Sequence, residues 1–179
     1  MTGKAWQIKN PYREEKREVT QVSQANDLLR RLHERSPTGF AIGLHIQFTT
    51  PRYFFQSYSK EWLDAYSAKG FVMNDPIVHW GFSNEGSIRW RDLAQTDPLG
   101  VLSEAAKFGM CFGMAASVMR GSSRSIAGFS RGDREMTDVE MAGIHKDLRA
   151  LHDATIGMQT LSPEIHDTLR QMSIYLTHG

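Results

Sequence analysis

The 179-residue sequence lacks features that would mark several classes of protein. It has one cysteine, Cys111, which excludes an internal disulfide framework and any zinc or iron–sulfur site that needs several cysteines. Its formal net charge is only +1, so the field of the whole molecule does not favour non-specific binding to DNA. No apolar run is long enough to cross a bilayer, and Met1–Arg17 lacks the apolar core of a signal peptide. These absences predict a soluble, cytoplasmic protein.

Motifs for cofactors and metals are scarce as well. No glycine-rich loop of the Walker or dinucleotide-binding type occurs. The closest histidines on one predicted helix, His145 and His152, are seven residues apart, about two turns or roughly 10 Å, which is too far to share a metal ion. Cys111 stands among glycine, methionine and phenylalanine, which favours a small core residue over a reactive thiol. We therefore predict no catalytic residue, no metal and no cofactor.

Amphipathic helices are predicted near both ends of the chain. From about Glu18 to Arg35, apolar residues recur at three- and four-residue steps, the stripe of a helix that packs on a core. Thr137 followed by Glu140 has the spacing of a capping box, and a second apolar stripe continues to about Met158. A further helix is predicted over the tail from Leu161 to Gly179.

The middle of the chain has the pattern of an antiparallel sheet with short helices. The predicted strands are Phe40–Phe48 with Tyr53–Tyr58, and Met114–Met119 with Ser125–Ser130 across a turn at Gly121-Ser122-Ser123. Short helices are predicted over Lys60–Lys69, from Asp75-Pro76 to the region of Gly81, and from Asp97-Pro98 to Ala106. Because strands and helices do not alternate strictly, this order favours an α+β fold, a mainly antiparallel sheet with helices on its faces.

Aromatic residues are concentrated just before the middle of the chain, and one carboxylate lies among them. Tyr58, Trp62 and Tyr66 are four residues apart, so on one helix they share a side. Asp75 follows shortly, and burying a carboxylate among rings is costly unless hydrogen bonds are donated to it. Two interpretations are open at this point. Either the rings are core and Asp75 caps a helix, or the group binds a ligand.

Tyr58, Trp62, Tyr66, Asp75-Pro76 and Trp90, in this order and spacing, resemble the signature of the autoinducer-binding domain of LuxR-type quorum-sensing regulators. The resemblance covers about Val19 to Met158 and includes Gly39-Phe40-Ala41, His45-Ile46, Phe108-Gly109, Gly113 and Phe129-Ser130. It implies an α-β-α sandwich with a central antiparallel sheet, related to the PAS and GAF sensor folds. In such a domain, the sheet and one helical layer enclose an N-acyl-homoserine lactone.

The same resemblance implies roles for individual side chains around that ligand. Trp62 should donate its indole N–H to the lactone carbonyl, and Asp75 should accept from the amide N–H. Tyr58 should donate its hydroxyl to the amide carbonyl. Trp90 and Tyr66 should line the pocket around the lactone ring and the acyl chain.

Two serines relate differently to the family pattern. Ser130 matches a position where the family often has Ser or Thr near the amide, and the resemblance implies a supporting hydrogen bond there. Ser117 departs from the pattern, because the family commonly has proline at that position. The neighbouring Met114-Ala115-Ala116 has smaller side chains than a pocket wall needs, so the length of the acyl chain is left open.

LuxR-type regulators usually continue into a DNA-binding domain with a helix-turn-helix, and this sequence contains no complete one. The predicted organisation is an N-terminal arm at residues 1–18, an autoinducer-binding domain at 19–159, and at 160–179 a C-terminal helix or the remnant of a linker. We expect no DNA binding by this chain alone, no membrane association, and a homodimer or a heterodimer with a LuxR-type regulator. The chain is then a signal receptor within a longer regulator or a single-domain modulator. The alternative is an antagonist that heterodimerises with a full-length regulator and needs no ligand.

Overall fold

Five strands form one antiparallel sheet with helices on both faces in the computed structural model, which describes residues 11–157. The strands are β1 (Gly39–Ile46), β2 (Tyr53–Gln56), β3 (Gly86–Arg89), β4 (Phe112–Arg120) and β5 (Ser123–Arg131). The helices are α1 (Pro11–Glu34), α2 (Lys60–Ala68), α3 (Pro76–Ser83), α4 (Trp90–Leu93), α5 (Val101–Ala106) and α6 (Asp138–Ile156), with 3₁₀ turns at Phe71–Asn74 and Ala94–Thr96. The order across the sheet is β2-β1-β5-β4-β3, and every neighbouring pair is antiparallel. The predicted α+β class is confirmed.

One face of the sheet is covered by α1 and α6, the two long amphipathic helices. The strand residues that point to this face are large and completely buried, among them Phe40, Ile42, Leu44, Phe55, Met114 and Phe129. Leu28 and Leu32 of α1 and Leu148 and Leu151 of α6 pack against them. Burying one such side chain stabilises a fold by about 1.5–3 kcal/mol, so this layer is the main hydrophobic core.

The N-termini of two helices are fixed by side chains that accept hydrogen bonds from backbone N–H groups. α6 begins with the predicted capping box, in which Thr137 Oγ1 accepts from the Glu140 N–H and the Glu140 carboxylate accepts from the Thr137 N–H. α5 begins slightly later than predicted, because the Asp97 carboxylate accepts from the N–H groups of Val101 and Leu102. Both arrangements satisfy donors that a helix N-terminus leaves free.

A polar cluster interrupts the main core where the end of α6 meets β1 and β5. His45 Nε2 lies 2.7 Å from Thr155 Oγ1, and His45 Nδ1 lies 2.8 Å from Ser123 Oγ. His152 Nδ1 lies 2.7 Å from Ser125 Oγ, and the centroids of the two imidazoles are 4.5 Å apart. Burial, followed by the proximity of His152, lowers the pKa of His45 to about 4. The His45 imidazole is therefore neutral at physiological pH.

The other face of the sheet carries the short helices α2 to α5. Gly81 of α3 lies so close to β5 that a Cβ there would overlap the Ile126 side chain. Gly113 of β4 lies under the indole of Trp90, and a Cβ there would overlap that ring. Glycine at these two positions lets the helical layer approach the sheet closely. A second hydrophobic cluster, with many aromatic members, forms in this layer.

The structure corrects three sequence predictions. Residues 11–17 are helical rather than part of a loose arm, because Pro11 suits a first helical turn and the charged residues after it are good helix formers. β3 and α4 were not predicted, since each has only four residues and no clear periodicity. Cys111 is exposed instead of lying in the core. The predictions for residues 1–10 and for the C-terminal helix fall outside the described residues.

Candidate functional site

The layer of short helices leaves a pocket against the sheet, with a volume of about 240 Å³. Small residues of β1 and β5 form its floor, and side chains of β2 and of α2 to α5 form its walls. Most of the wall is apolar. Among the described residues that line the pocket, Asp75 is the one with a carboxylate, and none is a lysine or an arginine.

The structure brings together five of the six predicted site residues. Tyr58, Trp62, Tyr66, Asp75 and Trp90 all line the pocket. The Ser59 hydroxyl accepts from the Trp62 N–H and so starts α2, which places Trp62 and Tyr66 on successive turns. Asp75 and Trp90 stand at the starts of α3 and α4. The pocket is thus framed by helix N-termini on one side.

Ser130, the sixth predicted residue, does not line the pocket. Its hydroxyl is fully buried, donates to the Gly39 carbonyl at 2.9 Å and lies 2.8 Å from Thr38 Oγ1. Ser130 also stands in a Gly-x-Ser-x-Gly pattern, from Gly128 to Gly132. A nucleophilic serine in that motif lies on a sharp strand-to-helix turn, whereas Ser130 lies within β5 and bonds to no base. Its hydroxyl here holds the end of β1 to β5.

Asp75 caps α3, as the first interpretation of the sequence expects, and it also lines the pocket that the second interpretation requires. Its Oδ1 accepts from the Ile77 N–H at 2.8 Å and so caps α3, and its Oδ2 accepts from the Tyr66 hydroxyl at 2.7 Å. The protein itself thus donates the hydrogen bonds that a buried carboxylate needs. Burial nevertheless raises the pKa of Asp75 above its ordinary value, against the opposing effect of these hydrogen bonds. A carboxylate has about four lone-pair sites, so Asp75 retains room for a further donor.

The two tyrosines of the pocket present neutral hydroxyls. Tyr66 donates to Asp75, and Tyr58 donates to the Gly128 carbonyl at 3.3 Å, which is a long hydrogen bond. Burial, and then the proximity of Asp75, raise the pKa of both phenols above their ordinary value. Both groups therefore stay protonated at physiological pH. The weak bond of Tyr58 is the one more easily exchanged.

The two tryptophans of the pocket each have an indole N–H that no described residue accepts. Trp62 packs in an aromatic cluster, with ring centroids 5.5 Å from Tyr66, 5.5 Å from Phe108 and 6.2 Å from Phe71. Among the described residues, no atom accepts from its indole N–H. The indole N–H of Trp90 is buried and likewise finds no acceptor in this part of the chain. An unpaired buried donor such as the Trp90 N–H costs about 1–3 kcal/mol, so an acceptor that enters the pocket is favoured.

The far end of the pocket is apolar and was not identified from the sequence. It is lined by Gly43 and Ile46 of β1, Phe54 of β2 and Phe82 of α3. The one signal in the sequence is the alternation within β1, in which Ala41 and Gly43 stand between large residues. Small residues on one face of a strand leave space beside the sheet.

Outside the pocket, the described part of the chain offers neither a metal site nor a membrane span. Across residues 11–157, no group of three or more His, Cys, Asp or Glu side chains is placed to hold a metal ion. In the same range, no helix is both long and apolar enough to pass through a membrane. The pocket is therefore the candidate functional site.

A five-stranded antiparallel sheet with a ligand-sized pocket under one helical layer is typical of sensor domains that bind small molecules. Residues 40–160 match the autoinducer binding domain family. The chain therefore belongs to the autoinducer-binding domain family, and the resemblance to LuxR-type regulators is confirmed. No curated protein sequence matches the chain at a significant level.

Solved structures share this fold at low sequence identity. CepR2 from Burkholderia cenocepacia, described as an N-acylhomoserine lactone dependent LuxR family transcription factor, is 18% identical with a TM-score of 0.51, over 75% of this chain and 93% of that chain. SdiA from Escherichia coli is 19% identical with a TM-score of 0.60, over 82% of this chain and 69% of that chain. SdiA in complex with octanoyl-rac-glycerol is 18% identical with a TM-score of 0.60, over 84% and 69%. At these identities the likeness establishes the fold.

Proposed function

We propose that the chain is a quorum-sensing signal receptor that binds an N-acyl-homoserine lactone in the pocket beside Asp75. Such a ligand offers a lactone carbonyl, an amide N–H, an amide carbonyl and an apolar chain. One observation carries the proposal: a single buried carboxylate lies in a mostly apolar pocket, whose wall also contains the buried indole N–H of Trp90, unpaired among the described residues. The acceptor, the donor and the apolar surface correspond to the ligand's own groups.

Three polar side chains would hold the head of the ligand. Asp75 accepts from the amide N–H through the lone pairs that Ile77 and Tyr66 leave free. Trp62 donates its indole N–H to the lactone carbonyl. Tyr58 exchanges its long bond to Gly128 for one to the amide carbonyl. Each exchange replaces a missing or weak hydrogen bond by a good one, which favours binding.

The remaining predicted residues would support this arrangement. Tyr66 fixes the Asp75 carboxylate and, with Trp90, walls the lactone ring and the start of the chain. Ser130, whose hydroxyl interacts with the phenol of Tyr58, would act on the amide contact through that phenol. We propose that these residues do not turn the ligand over, since the Ser130 hydroxyl donates to the Gly39 carbonyl rather than to a base.

We also propose that binding regulates transcription in the cytoplasm, with the chain in a homodimer or in a heterodimer with a LuxR-type regulator. The chain would act as the receptor of a longer regulator or as a single-domain modulator. The second candidate is an antagonist that heterodimerises without a ligand. The pocket favours the receptor, because an open, mostly apolar space with a carboxylate in its wall is what a small ligand needs and what a partner surface does not.

The test is the melting temperature of the purified chain with and without a panel of N-acyl-homoserine lactones. A ligand at a hundredfold excess over its dissociation constant should stabilise the fold by about 2.7 kcal/mol. Asp75→Asn should reduce this gain strongly and still fold, because asparagine also caps helices. Trp62→Phe keeps an aromatic ring and removes the donor, and it should weaken the gain.

The panel also includes octanoyl-rac-glycerol, which is present in one SdiA structure. A wild-type chain that no compound stabilises would contradict the receptor function. If that chain still formed a heterodimer with a LuxR-type regulator, the antagonist would be the better description. Mass spectrometry of a small molecule extracted from protein that was produced with candidate lactones identifies the ligand directly.

A further inference from the structure

The pocket follows the direction of β1 across the sheet. Ala41 pairs with Gly128 near the polar end, and Gly43 pairs with Ile126 farther along. Ile46 lies at the last position of β1 and still lines the pocket. The floor therefore extends over the strand positions from Ala41 to Ile46, with small side chains along most of its length.

Helix α3 runs in the same direction and forms the opposite wall. Its N-cap, Asp75, marks the polar end, and Ile77 contacts the floor at Gly128. One helical turn later, Gly81 lies against Ile126. The pocket is thus an elongated arm between β1 and α3 that begins at the carboxylate.

The far end of this arm meets solvent. Phe54 and Phe82 line it and are 44% and 39% exposed, and Thr49 beside them is exposed as well. Large aromatic side chains that are half in the pocket wall and half in water form a rim rather than a closed end. A ligand that fills the arm would therefore reach the surface between these two rings.

The length of the arm sets the length of the chain that fills it. Ala41 pairs with Gly128 and Ile46 pairs with Arg124, so the floor spans four residue steps of β5, about 13 Å at about 3.3 Å each. The eight residues of α3 measure about 12 Å. An extended chain advances about 1.2 Å per bond, because three main-chain bonds span about 3.6 Å. The arm accordingly holds about ten or eleven bonds.

We infer that the ligand of this site carries a long acyl chain, of about ten carbons or more, whose end emerges between Phe54 and Phe82; this rests on the receptor function proposed above. Gly43 is the floor residue that leaves space for such a chain. A Cβ at Gly43 would lie 3.3 Å from Pro51 Cβ and 3.7 Å from Ile46 Cδ1, so any side chain there fills the middle of the arm. The backbone of Gly43 has no positive φ, so a side chain there meets no backbone strain and only the contact with Pro51 has to adjust.

The first test measures the dissociation constants of N-acyl-homoserine lactones with chains of four to fourteen carbons. Each buried methylene is worth about 0.8 kcal/mol, so affinity should rise about fourfold per carbon while the chain is inside the arm. The gain should level off at about ten to twelve carbons, because later methylenes lie in water. A maximum at eight carbons or fewer, with a sharp loss beyond it, would overturn the inference.

The second test compares the variants Gly43→Ala and Gly43→Val with Gly128→Ala, which adds a methyl group at the polar end. The Gly43 variants should lose tenfold or more for chains of ten and twelve carbons and less than threefold for four carbons. Gly128→Ala should weaken all chain lengths alike, because its Cβ would lie near Ile77 and the Tyr58 hydroxyl. Equal losses across chain lengths in the Gly43 variants would overturn the role of Gly43.

Failure of the receptor function would give a different result from failure of the chain-length inference. If no lactone of any length binds the wild-type chain, the same length series is measured with acylglycerols, which share the chain and lack the lactone. A rise to about ten to twelve carbons in that series would support the arm and contradict the lactone head group. The absence of binding in both series would overturn both proposals.

Discussion

The two faces of the sheet are built from the same strands and differ in the space that their side chains leave. In β1, Phe40, Ile42 and Leu44 point to α1 and α6 and are 0% exposed, whereas Ala41 and Gly43 point to the pocket. Because side chains alternate along a strand, one face receives large residues and the other receives small ones. The first face is closed by packing, and the second keeps room for a small molecule. One strand thus contributes to stability and to binding at once.

Replacing a large side chain by alanine should reduce stability strongly on the face covered by α1 and α6, the closed face. The same replacement should reduce it little on the face that carries the pocket, the pocket face. We expect Leu148→Ala, at a fully buried position of α6, to lower the free energy of unfolding by about 2–5 kcal/mol, because it leaves a cavity. Leu63→Ala is the matched change in the pocket wall, where we expect about 1 kcal/mol or less because the side chain already borders a void. Urea denaturation of both variants measures the difference. Equal losses would contradict the contrast between the faces.

Acid should weaken the closed face through its histidines. Burial, His152 and Arg52 lower the pKa of His45 from 6.5 to about 4. Between these values the unfolded chain binds a proton that the folded chain does not, so the free energy of unfolding falls as the pH drops through this window, by about 3 kcal/mol in total. The lowered pKa of His152 acts in the same direction, and the raised pKa of Asp75 acts in the opposite one.

The variant His45→Asn isolates the contribution of that imidazole. Asparagine tolerates the left-handed backbone at this position, where φ is 52°, and it does not titrate. We expect the dependence of stability on pH between 6.5 and 4 to become shallower, whatever the absolute stability of the variant. Denaturant titrations at several pH values give this slope. A slope equal to that of the wild-type chain would assign the effect to other groups.

A single methyl group on α3 should disturb the pocket face. In Gly81→Ala, the new Cβ overlaps Ile126, so α3 must move away from β5 at a cost of about 1–3 kcal/mol. Since Asp75 begins α3, ligand affinity should fall as well. Gly143→Ala in α6 is the control, because its Cβ meets only the flexible end of Arg35 and alanine favours a helix. A larger loss of stability in Gly143→Ala than in Gly81→Ala would contradict the role given to the close approach of α3 to β5.

The features that depend on neighbouring residues could be predicted from the sequence. The β1–β2 hairpin, the capping box of Thr137 and Glu140, and the helix that begins after Asp75 are all as expected. Each is decided by side chains within a few positions of one another, whose patterns are visible in the sequence. The grouping of five aromatic and acidic positions in one pocket is also observed, although their roles toward a ligand stay predictions.

The features that depend on distant contacts could not be predicted. The Tyr66 hydroxyl reaches Asp75 only because an intervening 3₁₀ turn folds the chain back. Ser130 bonds to the Gly39 carbonyl, 91 positions away, and this partner removes it from the pocket wall. The open apolar arm over Gly43 likewise results from the pairing of β1 with β5 and the packing of α3. Such pairings are set by tertiary packing rather than by local propensity.

The hydrogen bond from the ligand's amide N–H to Asp75 is tested most directly by pairing one change in the ligand with one in the protein. The ligand change replaces the amide N–H by an ester oxygen, and the protein change is Asp75→Asn. A hydrogen bond to a charged group is worth about 1.5–3 kcal/mol, so the wild-type chain should bind the amide about 10–150 times more tightly than the ester. Asp75→Asn should bind both compounds with nearly the same affinity. A wild-type chain that binds the amide and the ester equally well would contradict the account.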